Sequence, residues 1–167
     1  MRQIGLALFG VFLLALNGAL CRILHLELMH PEPVLLLSVF IGLNLSPAEG
    51  ALVVFFLGVS ADSFAGTPMG MLASAHMLVW ILVRWSMRFL LPERKGMQLT
   101  LLFVMSLVFS LLVMLLLAIM EAGTGPVWAN FKVMLPLAVI HVLLAGPVWA
   151  LARWIRRPVV KRRSAFT

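Results

Sequence analysis

Charge is what this chain has least of. Charged residues make up 11% of it against 63% hydrophobic ones, and mean hydropathy is +1.10. Soluble domains lie nearer half apolar and a quarter charged. Too little polar surface is available to cover a core in water, which excludes an ordinary soluble enzyme or binding module and points to an integral membrane protein. Cysteine is almost absent as well. The single Cys21 excludes an intramolecular disulfide and leaves no cysteine pair for a metal site. Also missing are the patterns of hydrolytic chemistry: there is no H-E-x-x-H, no G-x-S-x-G and no carboxylate pair poised for acid–base work. No catalytic residue, metal centre or cofactor is expected.

Acidic residues are scarcer than basic ones, six against thirteen, for a net charge of +7. In a soluble chain that excess would suggest nucleic acid. Here the basic residues stand at the ends of apolar runs, where they remain on the cytoplasmic side and meet anionic lipid, so no nucleic-acid partner is expected.

The apolar runs divide the chain into an all-α, polytopic bundle of about six transmembrane helices in a single domain, residues 1–167. Residues 4–21 carry no charge and are close to the ~20 residues a helix needs to cross the hydrocarbon core. The end of this run, "NGALC", has no clean A-x-A cleavage site, so it reads as a helix and not as a removed signal peptide. Residues 22–33 form a connector in which Glu27, His30 and Glu32 alternate with leucines, suited to lying along the membrane surface. Runs 34–45 and 48–61 are short, separated by "SPAEG". Ser46 as N-cap, Pro47 at the first helical position and Glu49 in the first turn favour two helices with a tight turn at 44–47 over one long kinked helix. Spans 69–91, 98–120 and 133–152 follow, the last interrupted by Pro136 and Pro147. "PERKG" (92–96) and "EAGTGPVW" (121–128, with Glu121 at the water boundary) are the loops between them, and a basic tail closes the chain at 153–167. Counting back from the tail by the positive-inside rule places both termini in the cytoplasm and the 62–68 turn outside. Trp80, Trp85, Trp128, Trp149 and Trp154 mostly sit near predicted helix ends, as interfacial anchors should.

One stretch stands apart from the rest: "ADSFAGTPMGMLASAH", residues 61–76. A carboxylate within or beside the membrane is costly, about 2.5–3.5 kcal/mol at a helix centre on insertion scales, and such groups face protein or water. Asp62 or Ser63 can accept hydrogen bonds from free backbone N–H groups, and Gly66 can take positive φ. Thr67 can serve as N-cap with Pro68 at the first position of the next helix, and Gly70 lets another backbone come close. The physical reading is a helix hairpin tied down by Asp62.

"GVSADSFAGTPMGMLASAHMLVWIL" resembles the MreD family, the membrane subunit of the bacterial rod-shape system. The matching positions are Gly58, Asp62, Gly66 and Gly70; Ala65 and Met69 depart from the serine and leucine usual there. "HPEPVLLLSVFIGL" (30–43) is similar to the family's proline-plus-acidic lead-in to its second helix, through Pro31, Glu32 and Pro33. The resemblance is carried by residues 30–90, and the remainder agrees in hydropathy. It implies a fold similar to the S-component bundles that bind substrate in vitamin transporters. It further implies residence in the inner membrane and a non-enzymatic role in cell elongation. The implied partners are an MreC-like bitopic protein, MreB filaments and the SEDS glycosyltransferase with its penicillin-binding protein, alongside membrane lipids. A homodimer stays open.

Two intramembrane histidines, His76 and His141, are candidates for polar contacts between helices. With Asp62 they could instead form a metal site or proton relay, but no pair has ligand spacing within one helix. Arg84 and Arg88, one turn apart, could meet lipid phosphate or a partner, though orientation alone accounts for them. Besides the scaffold reading, a small-molecule-binding subunit of a vitamin-type transporter remains the alternative; it would need a polar-lined pocket, and Ser74, His76, Ser106, Ser110 and His141 are the main polar side chains available.

Overall fold

The computed structural model describes residues 2–23, 31–89, 95–120 and 131–156. They form six helices and no strand: α1 (Arg2–Ile23), α2 (Pro33–Asn44), α3 (Pro47–Ala65), α4 (Met71–Ser86), α5 (Lys95–Met120) and α6 (Phe131–Arg156). The connector around Glu27 and His30, most of the "PERKG" loop, the 121–128 turn with Glu121 and Trp128, and the basic tail beyond Arg156 lie outside the described residues.

The architecture is organised around α2. Its sequence, PVLLLSVFIGLN, is apolar on every side, and a helix without a polar face has to be surrounded. Every residue from Pro33 to Gly42 is buried, and α2 packs against each of the other five helices. The outer helices show the complementary pattern. On α1, Ile4, Leu8, Phe12, Leu16 and Leu20 recur every four residues and are exposed, while Leu6, Phe9 and Leu14 turn inward. Similar apolar stripes face outward on α3, α5 and α6, through residues such as Leu52, Phe55, Leu111, Leu115, Val139 and Leu143. An apolar exterior around an apolar core is what lipid, and not water, solvates.

Four of the helices are long and apolar enough to cross a membrane, over Gln3–Ile23, Pro47–Ala65, Lys95–Ile119 and Lys132–Arg156. The helix number agrees with the sequence reading, and the separation of α2 from α3 at residues 45–46 settles the two-helix alternative over the single kinked one. The other two helices are shorter than expected of a span. With 12 residues, α2 extends about 18 Å. Expected over 69–91, α4 occupies Met71–Ser86. It starts late because Gly70 adopts φ +93°, and it ends early because Arg88 N–H and Phe89 N–H bond back only three residues, to Trp85 and Ser86, at 3.0 Å each. Inside a bundle such short helices are tolerated when neighbouring side chains satisfy their ends.

The neighbours do so. Arg84 of α4 donates from Nη1 to the carbonyls of Gly42 (3.3 Å) and Leu45 (3.2 Å), putting a cation at the C-terminal end of α2. Trp149 of α6 is 4% exposed and donates its indole N–H to the Leu36 carbonyl at 2.9 Å, in the first turn of α2. The reading of Trp149 and Trp80 as interfacial anchors is therefore corrected: both are buried, whereas Trp85 and Trp154 are exposed near helix ends. The expected interruptions at Pro136 and Pro147 also give way to one continuous α6.

Candidate functional site

The hairpin between α3 and α4 is built on Asp62. Helix α3 runs to Ala65, so Asp62 and Ser63 belong to its last turn and not to the loop. Asp62 is 1% exposed. Its Oδ1 accepts the Thr67 hydroxyl at 3.0 Å and the Leu72 N–H at 2.7 Å; its Oδ2 accepts the N–H groups of Gly70 at 2.9 Å and Ala73 at 3.3 Å. Three of these donors are backbone groups at the start of α4, which a helix cannot satisfy by itself. The carboxylate also lies at the positive end of the α4 dipole. Capping is thus supplied across the hairpin, from the preceding helix.

This corrects the local assignment. Thr67 does not cap α4, and Pro68 is not its first residue: the helix begins at Met71 with Gly70 at the N-cap position. Thr67 spends its hydroxyl on Asp62, and the Pro68 carbonyl accepts the Met71 N–H at 3.1 Å. Ser63 is exposed and bonds its own helix at the Val59 carbonyl. The glycines divide the remaining work. Gly66 and Gly70 have φ +68° and +93°, with open space where a Cβ would sit, so backbone conformation is their requirement. Gly58 is helical, and a Cβ there would lie 2.6 Å from the Ala73 Cα, so close approach of α3 to α4 is its requirement.

A second polar cluster joins α1, α2, α5 and α6. The Glu32 backbone N–H donates to His141 Nε2 at 2.8 Å, which leaves Nδ1 of a neutral imidazole as the protonated nitrogen facing Ser106 Oγ at 2.6 Å. Asn17 of α1 donates to the Pro31 carbonyl at 2.9 Å, and Pro33 takes the first helical turn of α2. Pro31, Glu32 and Pro33 therefore form the lead-in to the second helix, held from both sides. His141 makes an interhelical contact of the kind expected. His76 does something different: neither ring nitrogen has a hydrogen-bond partner, and the ring stacks on Phe109 with centroids 4.7 Å apart. Asp62, His76 and His141 are each engaged separately, and among the described residues no three His, Cys, Asp or Glu side chains gather as metal ligands.

Two cavities flank Glu32. One, of about 160 Å³, lies among α4, α5 and α6 and is lined mainly by Leu72, Phe109, Val113, Met114 and Met134, with Ser110. The other, of about 310 Å³, lies between the ends of α1 and α3. Sequence reasoning passed over this role of Glu32, and over Arg84 as the C-terminal partner of α2. An arginine one turn from the end of an apolar helix was the available signal for Arg84, but its target is 39–42 residues away in the chain.

Comparison with models of protein families, with curated proteins and with solved structures gives no match for this chain.

Proposed function

We propose that the protein is a non-enzymatic membrane scaffold or regulator of bacterial cell elongation, of the kind the resemblance to the MreD family implies. One observation carries the reading. The four positions that bear the resemblance, Gly58, Asp62, Gly66 and Gly70, converge on one hairpin, and each has a physical reason to be the residue it is. The oxygens of Asp62 are occupied by donors of the hairpin, which suits a clamp that holds a surface in shape better than it suits a reacting group. On this reading the outer face around residues 58–76 presents a rigid surface to an MreC-like bitopic protein. Through that partner the protein meets the SEDS glycosyltransferase, its penicillin-binding protein and MreB.

The same reading has the chain in the inner membrane with both termini cytoplasmic. An even number of helices, with Arg84, Arg88, Lys95, Arg153 and Arg156 at one end of the bundle, supports that orientation. Depletion in the native host, followed by microscopy of cell width and length, tests the function. Progressive loss of rod shape is expected; unaltered dimensions at full depletion would overturn it. The cavities beside Glu32 favour one further reading, a small-molecule-binding subunit of a vitamin-type transporter. Depletion would then impair uptake and leave shape alone.

A further inference from the structure

The cleft between α1 and α3 carries two opposite charges that do not meet. Glu32 and Arg22 both line it, together with Asn17 and Cys21. The Glu32 backbone is fixed by its bond to His141, yet its carboxylate has no hydrogen-bond or ion-pair partner among the described residues, and neither has the Arg22 guanidinium. Burial without a partner pushes the Glu32 carboxyl up to about 7, and a cationic ligand group would hold it in its charged form. The rest of the wall is apolar: Leu14, Gly18, Ala61, Phe64 and Ala65. Nothing lies within 4 Å of where a Gly18 Cβ would be, so this side of the cleft is an open trough between two lipid-facing helices. The polar end coincides with the last turns of α1 and α3, and the ends of spanning helices are where headgroups lie.

We propose that this cleft binds the headgroup of a phospholipid bearing a primary amine, with the ammonium on the Glu32 carboxylate, the phosphate on Arg22 and an acyl chain along the trough. A zwitterion matches two fixed charges of opposite sign. An ammonium with N–H donors suits a carboxylate, whereas a quaternary ammonium has no donor to offer and prefers an aromatic cage; among the described residues Phe64 is the one aromatic side chain lining the cleft. The inference requires the membrane setting and is independent of the elongation role.

The test uses the purified full-length protein, delipidated in mild detergent. Thermal unfolding and native mass spectrometry are recorded with phosphatidylethanolamine, with phosphatidylcholine and phosphatidylglycerol of the same acyl chains, and with soluble phosphoethanolamine. Phosphatidylethanolamine is expected to raise the melting temperature and to be retained about tenfold better than the others, a difference of about 1.4 kcal/mol. Glu32→Gln preserves the backbone bond to His141 and should abolish the preference; Arg22→Gln, at an exposed position, should weaken it without affecting folding. Equal retention of all three lipids, or a preference that survives both substitutions, would overturn the proposal. So would stabilisation by soluble phosphoethanolamine without any by the lipid, which would make the cleft a site for a small zwitterion.

Discussion

A carboxylate that receives four hydrogen bonds can be replaced by very little. Removing it in Asp62→Ala strands the Leu72 and Ala73 N–H groups inside the bundle and frees the Gly70 N–H and Thr67. Losing one cap costs about 1 kcal/mol, and bonds to a charged acceptor about 1.5–3. A destabilisation of about 3 kcal/mol is therefore expected for Asp62→Ala, read by denaturant unfolding in detergent. Asp62→Asn should recover little of it, because its NH2 group would confront donors. Membrane integration should persist in both variants, since the apolar spans govern insertion; a loss of the protein from the membrane fraction would contradict this. The importance of Asp62 was legible in the sequence because a charge in so apolar a stretch needs a reason. That it accepts from free backbone N–H groups of the hairpin was legible too; which amides it takes was not, because cap signals are read locally. Thr67-Pro68 has the look of a helix start, and only the folded hairpin shows a side chain from the previous helix reaching the amides first.

At the scale of elements, the glycines of the hairpin make a graded prediction. Gly58→Ala forces a methyl against the Ala73 backbone, and backbone cannot step aside, so helices α3 and α4 must separate. Overpacking of this kind costs about 1–3 kcal/mol. Gly66→Ala and Gly70→Ala meet no atom and face only the left-handed backbone, about 1–2 kcal/mol each. Melting temperatures should fall most for Gly58→Ala, and equal effects at all three positions would count against the packing argument. The end of α2 gives a second test. Arg84→Met keeps the apolar stem but removes the donors to Gly42 and Leu45, so the last turn of α2 should gain amide exchange while α3 is unchanged. The break between α2 and α3 was legible because Ser46-Pro47 obeys a local rule, although the Ser46 hydroxyl bonds the Glu49 side chain at 2.9 Å and not a backbone amide. The central position of α2 was less so. Its shortness argued for a marginal span, and what it reports is complete burial. Trp149 was misread for a related reason: indoles favour interfaces, but a buried carbonyl on a neighbouring helix serves the indole N–H equally well.

For the whole molecule, the decisive geometry is which end of the bundle faces which compartment. Met69 lies beside the hairpin and Gly96 at the start of α5, both exposed and at opposite ends. With Cys21 replaced by alanine, Met69→Cys should react with a membrane-impermeant thiol reagent in intact spheroplasts, and Gly96→Cys only after lysis. The reverse pattern would invert the orientation. Membrane residence and helix number were open to composition and hydropathy alone, because lipid solvation leaves its mark on every residue of an outer face. The cleft at Glu32 was not, since it is assembled from α1, the lead-in to α2 and α3, which no single stretch of sequence displays together.

We propose that the hairpin shapes a scaffold for cell elongation. It is tested most directly by retrieving the tagged protein from its native host in mild detergent and identifying the membrane proteins that accompany it by mass spectrometry. An MreC-like bitopic protein is expected with the wild type, and its loss with Gly58→Ala at a temperature where that variant remains folded. Recovery of ATPase transporter subunits in its place, undisturbed by the hairpin substitution, would overturn the scaffold role.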